Sequence, residues 1–455
     1  MLNYIWLALV LFAVVIGGWN GHLKEVTDGA FDGAKTAVTI ALGLIGIMAL
    51  WLGVMRLAER AGLIQKLARG LRPVMKRLFP GVPNDHPAMG SMLMNMAANM
   101  LGLGNAATPL GLRAMRDLET LNPHPGKATN AMCTFLALNT SSVQLIPTTA
   151  IAILIAAGST NPTVIVGTSL LATLCAASVA ITAVKLLGRL PWFYESDQLP
   201  VVVPGGVGEA GDPTARETVK MAPSDAAVVS DPSNNRAPLA LWARLVLALF
   251  ALFFLALFVR QIFPEALGLT GAPTGSPSYF VRAVSALSLL AIPMLLSFFV
   301  LYAALGGLKV YDEFVEGAKE GFGVILKIIP FLVTMLVAIN MFKGAGGIDL
   351  VARLLSPLLT PLHFPTDLLP IALMRPLSGG ATLALFTDVV QRLGPENIVS
   401  LMAATIYGST ETTFYVAAVY FGSVGIKQTR HAIPAGLLAD FAGVVASVVI
   451  CRLVL

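Results

Sequence analysis

Charge is scarce in this chain. Only 12% of its 455 residues are Asp, Glu, Lys or Arg, against about a quarter in a soluble globular domain. With 56% hydrophobic residues and a mean hydropathy of +0.78, that shortage excludes a water-soluble fold and indicates a polytopic membrane protein whose first partner is the lipid bilayer. The net charge of +5 is spread over loops and leaves no footprint for nucleic acid. Cysteine is nearly absent as well. Cys133, Cys175 and Cys451 are odd in number and form no CxxC pair, which argues against a disulfide framework or a zinc site; each reads as a small buried hydrophobe. The five histidines, His22, His86, His124, His363 and His431, fall at loops or span edges without ligand spacing. They read as solvated loop residues, so no metal is expected. There is no Walker loop, no HExxH and no GxSxG. An ATP-driven pump or a familiar intramembrane hydrolase is therefore unsupported, and neither cofactor nor enzyme activity is expected.

What is present is a series of long apolar runs. A spanning helix needs about 20 apolar residues, and candidates fall at roughly 2–19, 34–57, 128–157, 163–187, 240–262, 280–304, 321–342, 396–421 and 432–453. The first, Leu2 to Gly18, has no basic flank and reads as a retained span, not a secretory signal. Two shorter segments, 88–110 and 367–391, are interrupted by Gly, Pro and Asn. They suit re-entrant hairpins, since irregular backbone at membrane depth survives only inside protein or beside a cavity. Residues 195–238 differ in kind, rich in Pro, Gly, Asp and Ser and bracketed by Trp192 and Trp242. They read as a disordered linker with interfacial aromatics at its ends. The division is then 1–190 as a first membrane half, 191–239 as linker, 240–311 as connecting spans and 312–455 as a second membrane half.

The two halves carry the same order of elements. Gly33-Ala34-Lys35 matches Gly317-Ala318-Lys319, and Ala68-Arg69 and Pro73 match Ala352-Arg353 and Pro357 at the same offset. Gly104-Asn105-Ala106-Ala107-Thr108 then matches Ser378-Gly379-Gly380-Ala381-Thr382 at a slightly shorter one. Charge orients them. Between 56 and 77 stand Arg56, Arg60, Lys66, Arg69, Arg72, Lys76 and Arg77 against Glu59 alone, which marks a cytoplasmic segment able to lie as a helix along the interface. The matching stretch 341–367 has only Lys343 and Arg353 with Asp349 and Asp367, and reads as outside. Lys185, Arg189, Lys427 and Arg430 fall inside. The halves therefore insert in opposite directions, as in carriers with inverted repeats. The expected fold is all-α, with about nine spans, two re-entrant hairpins, two inverted repeats and a central cavity.

Polar residues inside these apolar runs mark the expected site. Asn105 and Thr108 line the first hairpin, and Ser378 and Thr382 the second; Asn95 and Asn99 are weaker candidates. The alternative for all of them is close helix packing with hydrogen bonds across helices. In 128–157, Asn139-Thr140-Ser141-Ser142, Gln144 and Pro147 suggest a helix unwound around Val143, because proline removes a donor and frees carbonyls. Ser409-Thr410-Glu411-Thr412 occupies the matching place in the second half. Arg375 is an isolated cation in an apolar stretch. It reads equally as an anion-binding residue or as a structural cation paired with Asp388 or Glu411, or snorkelling to the interface. Glu411 is the only acid of 397–421 and the expected coupling residue for a proton or sodium; Tyr407 and Tyr415, one turn either side, would share its helix face. Asn139, Thr140, Ser141, Gln144, Ser409 and Thr410 complete the expected binding set.

Several motifs carry a family resemblance. MNMAANMLGLGNAATPLGLRAM (94–115) and ALNTSSVQLIPTT (137–149) make residues 1–190 resemble the spore maturation A membrane proteins. MRPLSGGATLA (374–384) and IYGSTETTFYVAAVYFG (406–422) make residues 312–455 resemble the spore maturation B proteins. Here both lie on one polypeptide. Both halves also resemble the nucleoside recognition, or Gate, domain. That domain is shared with concentrative nucleoside carriers, bacterial ferrous-iron transporters and a spore dipicolinate carrier. The resemblance implies a Gate-type fold in the bacterial inner membrane. The expected function is secondary transport of a small polar or anionic metabolite, with a nucleoside-like molecule as one candidate; a homo-oligomer is compatible with it. The alternative is a non-transporting protein that acts in envelope or spore maturation through a partner protein.

The charge asymmetry makes one direct prediction. In a cysteine-free background, single cysteines replacing Arg69 and Arg353 should react with a membrane-impermeant maleimide from opposite sides of the membrane. Labelling of both from one side would remove the inverted arrangement.

Overall fold

Small residues at regular spacing let two long helices come into backbone contact, and this pair organises the fold. The computed structural model describes residues 2–102, 104–193, 240–263, 278–347, 350 and 364–455, with the side chains of 2–5, 104–106, 324, 327, 328 and 331 left aside. The linker 195–238, and Arg353 with residues 348–349 and 351–363 of the stretch matching the basic segment, lie outside the described residues. Helix α1 (Leu2–Asn20) precedes α2 (Leu23–Arg60), α3 (Leu63–Leu78), α4 (Pro87–Met100) and α5 (Gly104–Glu119). Then come α6 (Asn130–Ser141), α7 (Thr148–Ala156), α8 (Ile165–Leu187), α9 (Leu241–Ile262), α10 (Tyr279–Leu305) and α11 (Val310–Gly344). The described part of the second half is α12 (Leu369–Met374), α13 (Gly379–Leu393), α14 (Ile398–Ser409), α15 (Thr413–Gly422) and α16 (Ala432–Val454). Among the described residues the fold is all-helical, with five helices long and apolar enough to cross a membrane: Leu23–Arg60, Pro162–Leu187, Leu241–Ile262, Tyr279–Leu305 and Ala432–Val454.

The expected span at 34–57 is a 38-residue helix, about 57 Å at 1.5 Å per residue, well beyond the ~30 Å hydrocarbon core. It runs antiparallel to α11. A Cβ on Gly29 would lie 2.5 Å from the Asn340 carbonyl oxygen, and one on Gly33 2.6 Å from that of Leu336. At the other end a Cβ on Gly317 would lie 2.6 Å from the Leu52 carbonyl oxygen, and one on Gly321 2.9 Å from the Ala49 backbone. Only glycine permits this approach along the whole contact. Arg56 locks the basic end, 3.1 Å from Glu313 and 2.8 Å from Glu320. Helix α1 lies against α11, where the Trp6 indole donates to the Thr334 carbonyl at 2.9 Å. Helix α9 buries only Ala243; Leu245, Leu249, Leu252 and Phe253 stand exposed, as a lipid-facing surface requires.

Of the basic residues between 56 and 77, Arg56 and Arg60 end α2, while Lys66, Arg69, Arg72, Lys76 and Arg77 fall on α3, which buries Ile64, Ala68 and Met75 on one face. The first hairpin is α4 and α5, turned at Gly102 with φ +75°, a left-handed conformation that costs glycine nothing. The second is α12 and α13. The runs 128–157 and 396–421 are each broken. Helix α6 ends at Ser142 (φ 30°), and α7 restarts after Pro147. Helix α14 ends at Thr410, in extended conformation, and α15 restarts at Thr413. The two broken pairs run antiparallel. At the basic end the Ala128 N–H donates to the Gln428 carbonyl at 2.9 Å. At the other end Glu396 accepts from the Ser159 hydroxyl and the Thr160 N–H, each at 2.8 Å. These bonds hold the Glu396 carboxyl below the usual carboxylate range, the Ser159 hydroxyl contributing most. Helices α8 and α16 pack on each other and on both broken pairs.

Two expectations are corrected here. Cys175 is exposed on the outer face of α8, unlike the buried Cys133 and Cys451. His431 is not a solvated loop residue: it is fully buried at the start of α16.

The backbone contact between α2 and α11 predicts which glycines matter. Gly33→Val should destabilise the protein by about 1–3 kcal/mol, the usual cost of overpacking. Gly46→Val, where a Cβ meets nothing within 4 Å, should cost far less. Thermal unfolding in detergent distinguishes them, and equal losses would refute the packing account.

Candidate functional site

The two helix breaks lie against each other. The Glu411 N–H donates to the Thr140 carbonyl at 2.7 Å, joining one break to the end of the other pair's first helix. A Cβ on Gly408 would stand 2.6 Å from Pro147 Cβ. Each break also reaches its own hairpin through backbone: the Leu145 N–H donates to the Met100 carbonyl, and the Phe414 N–H to the Pro376 carbonyl, both at 3.0 Å. Carbonyls freed by unwinding are met by side chains of the next helix. The Thr173 hydroxyl on α8 lies 2.8 Å from the carbonyls of both Ser141 and Ser142.

Polar side chains form three groups around this junction. In the first, the Asn99 amide donates to Asn139 Oδ1 at 2.8 Å, and the Tyr420 hydroxyl donates to the same oxygen at 3.4 Å. Asn95 donates to the Ala107 carbonyl at 2.7 Å and to Tyr420 at 3.3 Å. In the second, Arg375 is 2% exposed. Its Nη2 donates to the Tyr407 carbonyl at 2.9 Å, and its guanidinium lies 4.9 Å from the Tyr407 ring centroid. Arg375 Nε has no partner. The expected pairing with Asp388 does not form, because Asp388 takes Arg392 at 2.8 Å, together with Asp367 on the same guanidinium at 2.9 Å. No described carboxylate lies within ion-pair distance of Arg375. In the third group, Gly436, Asp440, Gly443 and Ser447 make one face of α16. The Thr413 hydroxyl donates to Asp440 Oδ2 at 2.6 Å, a Cβ on Gly443 would meet Thr410 Cγ2 at 2.5 Å, and Ser447 lies 3.3 Å from Ser409. Asp440 is 2% exposed and its Oδ1 has no partner. Arg375 and Glu411 both lie close enough to act on it electrostatically.

Most of the expected residues converge here. Asn139, Thr140, Ser141, Ser409 and Thr410 are buried at the breaks, and the Thr410 hydroxyl has no partner. Glu411 is half-buried, with Gln144 Nε2 at a long 3.5 Å. Ser378 caps α13 by accepting from the Ala381 N–H at 3.2 Å, and the Thr382 hydroxyl donates to the Ser378 carbonyl at 2.7 Å. Thr108 is half-buried on α5, whereas the Asn105 side chain lies outside the described residues. One relation fails. Tyr407 and Tyr415 do not share a helix face with Glu411, because the helix breaks between 409 and 413; Tyr407 stacks on Phe386 while Tyr415 is 58% exposed. Sequence reasoning also passed over Asp440. Its signal was the same as that of Glu411, a lone acid in an apolar run, strengthened by glycines four residues before and three after it.

The Thr173 bridge predicts a measurable loss. Thr173→Val nearly preserves volume but leaves two buried carbonyls short of a donor, so it should destabilise the protein by about 1–3 kcal/mol. Thr182→Val removes only a bond to the Ser178 carbonyl on an exposed face and should be nearly neutral. Denaturant unfolding in detergent tests the difference.

Comparison with known proteins follows the same two-part division. The family model described as nucleoside recognition (Gate) matches residues 41–158 and 325–427, each stretch containing a hairpin and a broken helix pair. Spore maturation protein A of Bacillus subtilis (strain 168) is 49% identical over 181 residues, which is 40% of this chain and 92% of that protein. Spore maturation protein B of the same organism is 43% identical over 173 residues, 38% of this chain and 97% of that protein. The chain therefore belongs to the spore maturation A/B membrane protein family, with the features of both proteins on one polypeptide and the Gate domain matched in two places.

Proposed function

We propose that this protein is a carrier, not an enzyme, and moves a small polar or anionic metabolite across the bacterial inner membrane by alternating access. The observation that carries the reading is the pair of helix breaks joined at the Glu411–Thr140 bond. Unwound backbone inside a bundle supplies carbonyl and amide groups that bind ions and polar solutes at membrane depth. Inverted repeats fit the same reading. Gly33 packs on Leu336 and Val337 while Gly317 packs on Leu52 and Gly53, and these contacts exchange under the sequence offset that relates the halves. Such a pair can rock as two similar units around a fixed centre.

Within this reading Asn105, Thr108, Asn139, Thr140, Ser141, Gln144, Ser378, Thr382, Ser409 and Thr410 contribute to the substrate path. Arg375 recognises negative charge, because a buried guanidinium with a free N–H and no carboxylate partner among the described residues is costly unless something else satisfies it. The match to a nucleoside recognition domain makes a nucleoside-like molecule one substrate candidate. Glu411 couples transport to a proton or sodium, and Asp440 offers a second carboxylate beside it. The relatives' name, spore maturation protein, is met equally by a membrane protein that acts in envelope or spore maturation through a partner. That reading is favoured if the hairpin polar residues prove dispensable while deletion of 195–238 abolishes function.

The test begins with a thermal-shift screen of purified protein against nucleosides, dicarboxylates, amino acids and sodium, since a ligand of the folded state raises stability by mass action. In proteoliposomes loaded with the compound identified, Glu411→Gln should abolish uphill accumulation while retaining exchange down the gradient. Arg375→Lys keeps the charge but loses the planar fork, and should weaken an anionic substrate about tenfold. Full accumulation by a folded Glu411→Gln protein would refute the coupling role, and normal anion binding by Arg375→Gln would make Arg375 structural.

A further inference from the structure

A cavity of about 470 Å³ opens at the basic end of the bundle, remote from the helix breaks. It lies between the end of α3, the segment after it, the end of α5, the start of α6, the end of α8 and the residue before α16. Its polar walls carry charge of one sign. Arg77, Lys185 and Arg189 line it, and no acidic residue does. All three cations are exposed and form no ion pair among the described residues. The first turn of α6, capped by Thr129, also borders the cavity, with Asn130, Ala131 and Thr134 on its wall. A helix start presents amide N–H groups and the positive end of the helix dipole. The rest of the wall is apolar, including Leu78, Phe79, Val82, Leu118 and Val184.

A second observation points to a ligand. His431 lines the cavity, is fully buried, and has no hydrogen-bond partner on either ring nitrogen. Buried polar groups without partners are uncommon and costly. The imidazole is a neutral donor and acceptor near pH 7, since burial and the adjacent Arg430 push it down to about 4. Phe193 packs edge-on against the ring at 6.0 Å and Gly188 lies behind it, so its orientation is held. A neutral imidazole without a hydrogen-bond partner on the wall of a cationic cavity suits an oxygen of an anion.

We propose that this cavity is a binding site for a phosphate group at the cytoplasmic face, held by Arg77, Lys185 and Arg189 with His431 beneath it and the α6 terminus alongside. The apolar wall next to the charges suits a phosphate on an amphiphile, the headgroup of an anionic phospholipid, and basic pockets between spans on the cytoplasmic side favour such lipids. A free soluble phosphate has the same chemistry and is the other source. Whichever fills it, the ligand braces α6 of the first half against α8 and α16. Helix α6 ends in the Thr140 carbonyl that meets Glu411, so occupancy bears on the junction without depending on what the junction transports.

The test uses the full-length protein in non-ionic detergent. Its unfolding temperature is measured against short-chain phosphatidylglycerol, the matching phosphatidylcholine and inorganic phosphate. A saturable rise with phosphatidylglycerol, absent with phosphatidylcholine and phosphate, supports a lipid site. A saturable rise with inorganic phosphate supports a soluble anion. In either case Lys185→Gln with Arg189→Gln should raise the half-saturating concentration about tenfold or more. These side chains are exposed, so the ligand-free unfolding temperature should hold. His431→Phe, which keeps the ring but removes both nitrogens, should weaken binding in the same direction. No rise with either phosphate compound, an equal rise with phosphatidylcholine, or an unchanged half-saturation in the folded double variant would each overturn the site.

Discussion

Everything in this protein depends on how backbone amides and carbonyls are satisfied away from water. An unbroken helix solves the problem internally. This chain breaks two helices inside its apolar core and must find partners elsewhere. It does so through tertiary contacts: Thr173 to the carbonyls of Ser141 and Ser142, Glu411 to Thr140, Leu145 to Met100 and Phe414 to Pro376. Each break is tied to a hairpin, and one break is tied to the other helix pair. A displacement of one therefore disturbs the hydrogen bonds of its neighbours. Such coupling suits a packed core with discrete arrangements.

Close packing of small residues makes this possible. The glycine contacts between α2 and α11 bring two helices together without bulky side chains and join the two halves of the chain. On α16, Gly436 and Gly443 admit the threonines at the edges of the second break, so that Asp440 between them reaches Thr413. The same small-residue logic thus builds both the scaffold and the polar centre. Into that centre go one buried cation, Arg375, and two acids, Glu411 and Asp440, with no direct ion pair to Arg375 among the described residues. Ionisable groups held without an ion-pair partner in a low dielectric are costly.

Much of this was legible in the sequence. Low charge and long apolar runs identified a membrane protein, and the alternation of basic and apolar residues after Arg60 indicated the amphipathic helix that forms as α3. The unwound segment near Val143 could be read from a polar cluster followed by Pro147, because proline cannot donate the helical bond. Its counterpart at Ser409–Thr412 has no proline and was legible through the repeat. Other features were not accessible. Asp388 looked like a partner for Arg375, yet Arg392 one turn along α13 takes it, since neighbours at that spacing meet on the helix surface. His431 looked like a loop residue because it sits at a span edge, but Phe193 and Gly188 close over it.

The sequence by itself determined the solvent this chain folds in, the doubling of its motifs, the residues able to break a helix and the end of the bundle that carries positive charge. These follow from composition, spacing and the cost of polar groups in lipid, all local properties. Only the tertiary structure decided which groups meet: the Glu411 amide with the Thr140 carbonyl, Asp440 with Thr413, Asn99 with Asn139, and His431 with the basic cavity. The physical reason is that these partners lie far apart along the chain. Their contact depends on how closely glycine-lined helices approach, a distance that no one-dimensional pattern records.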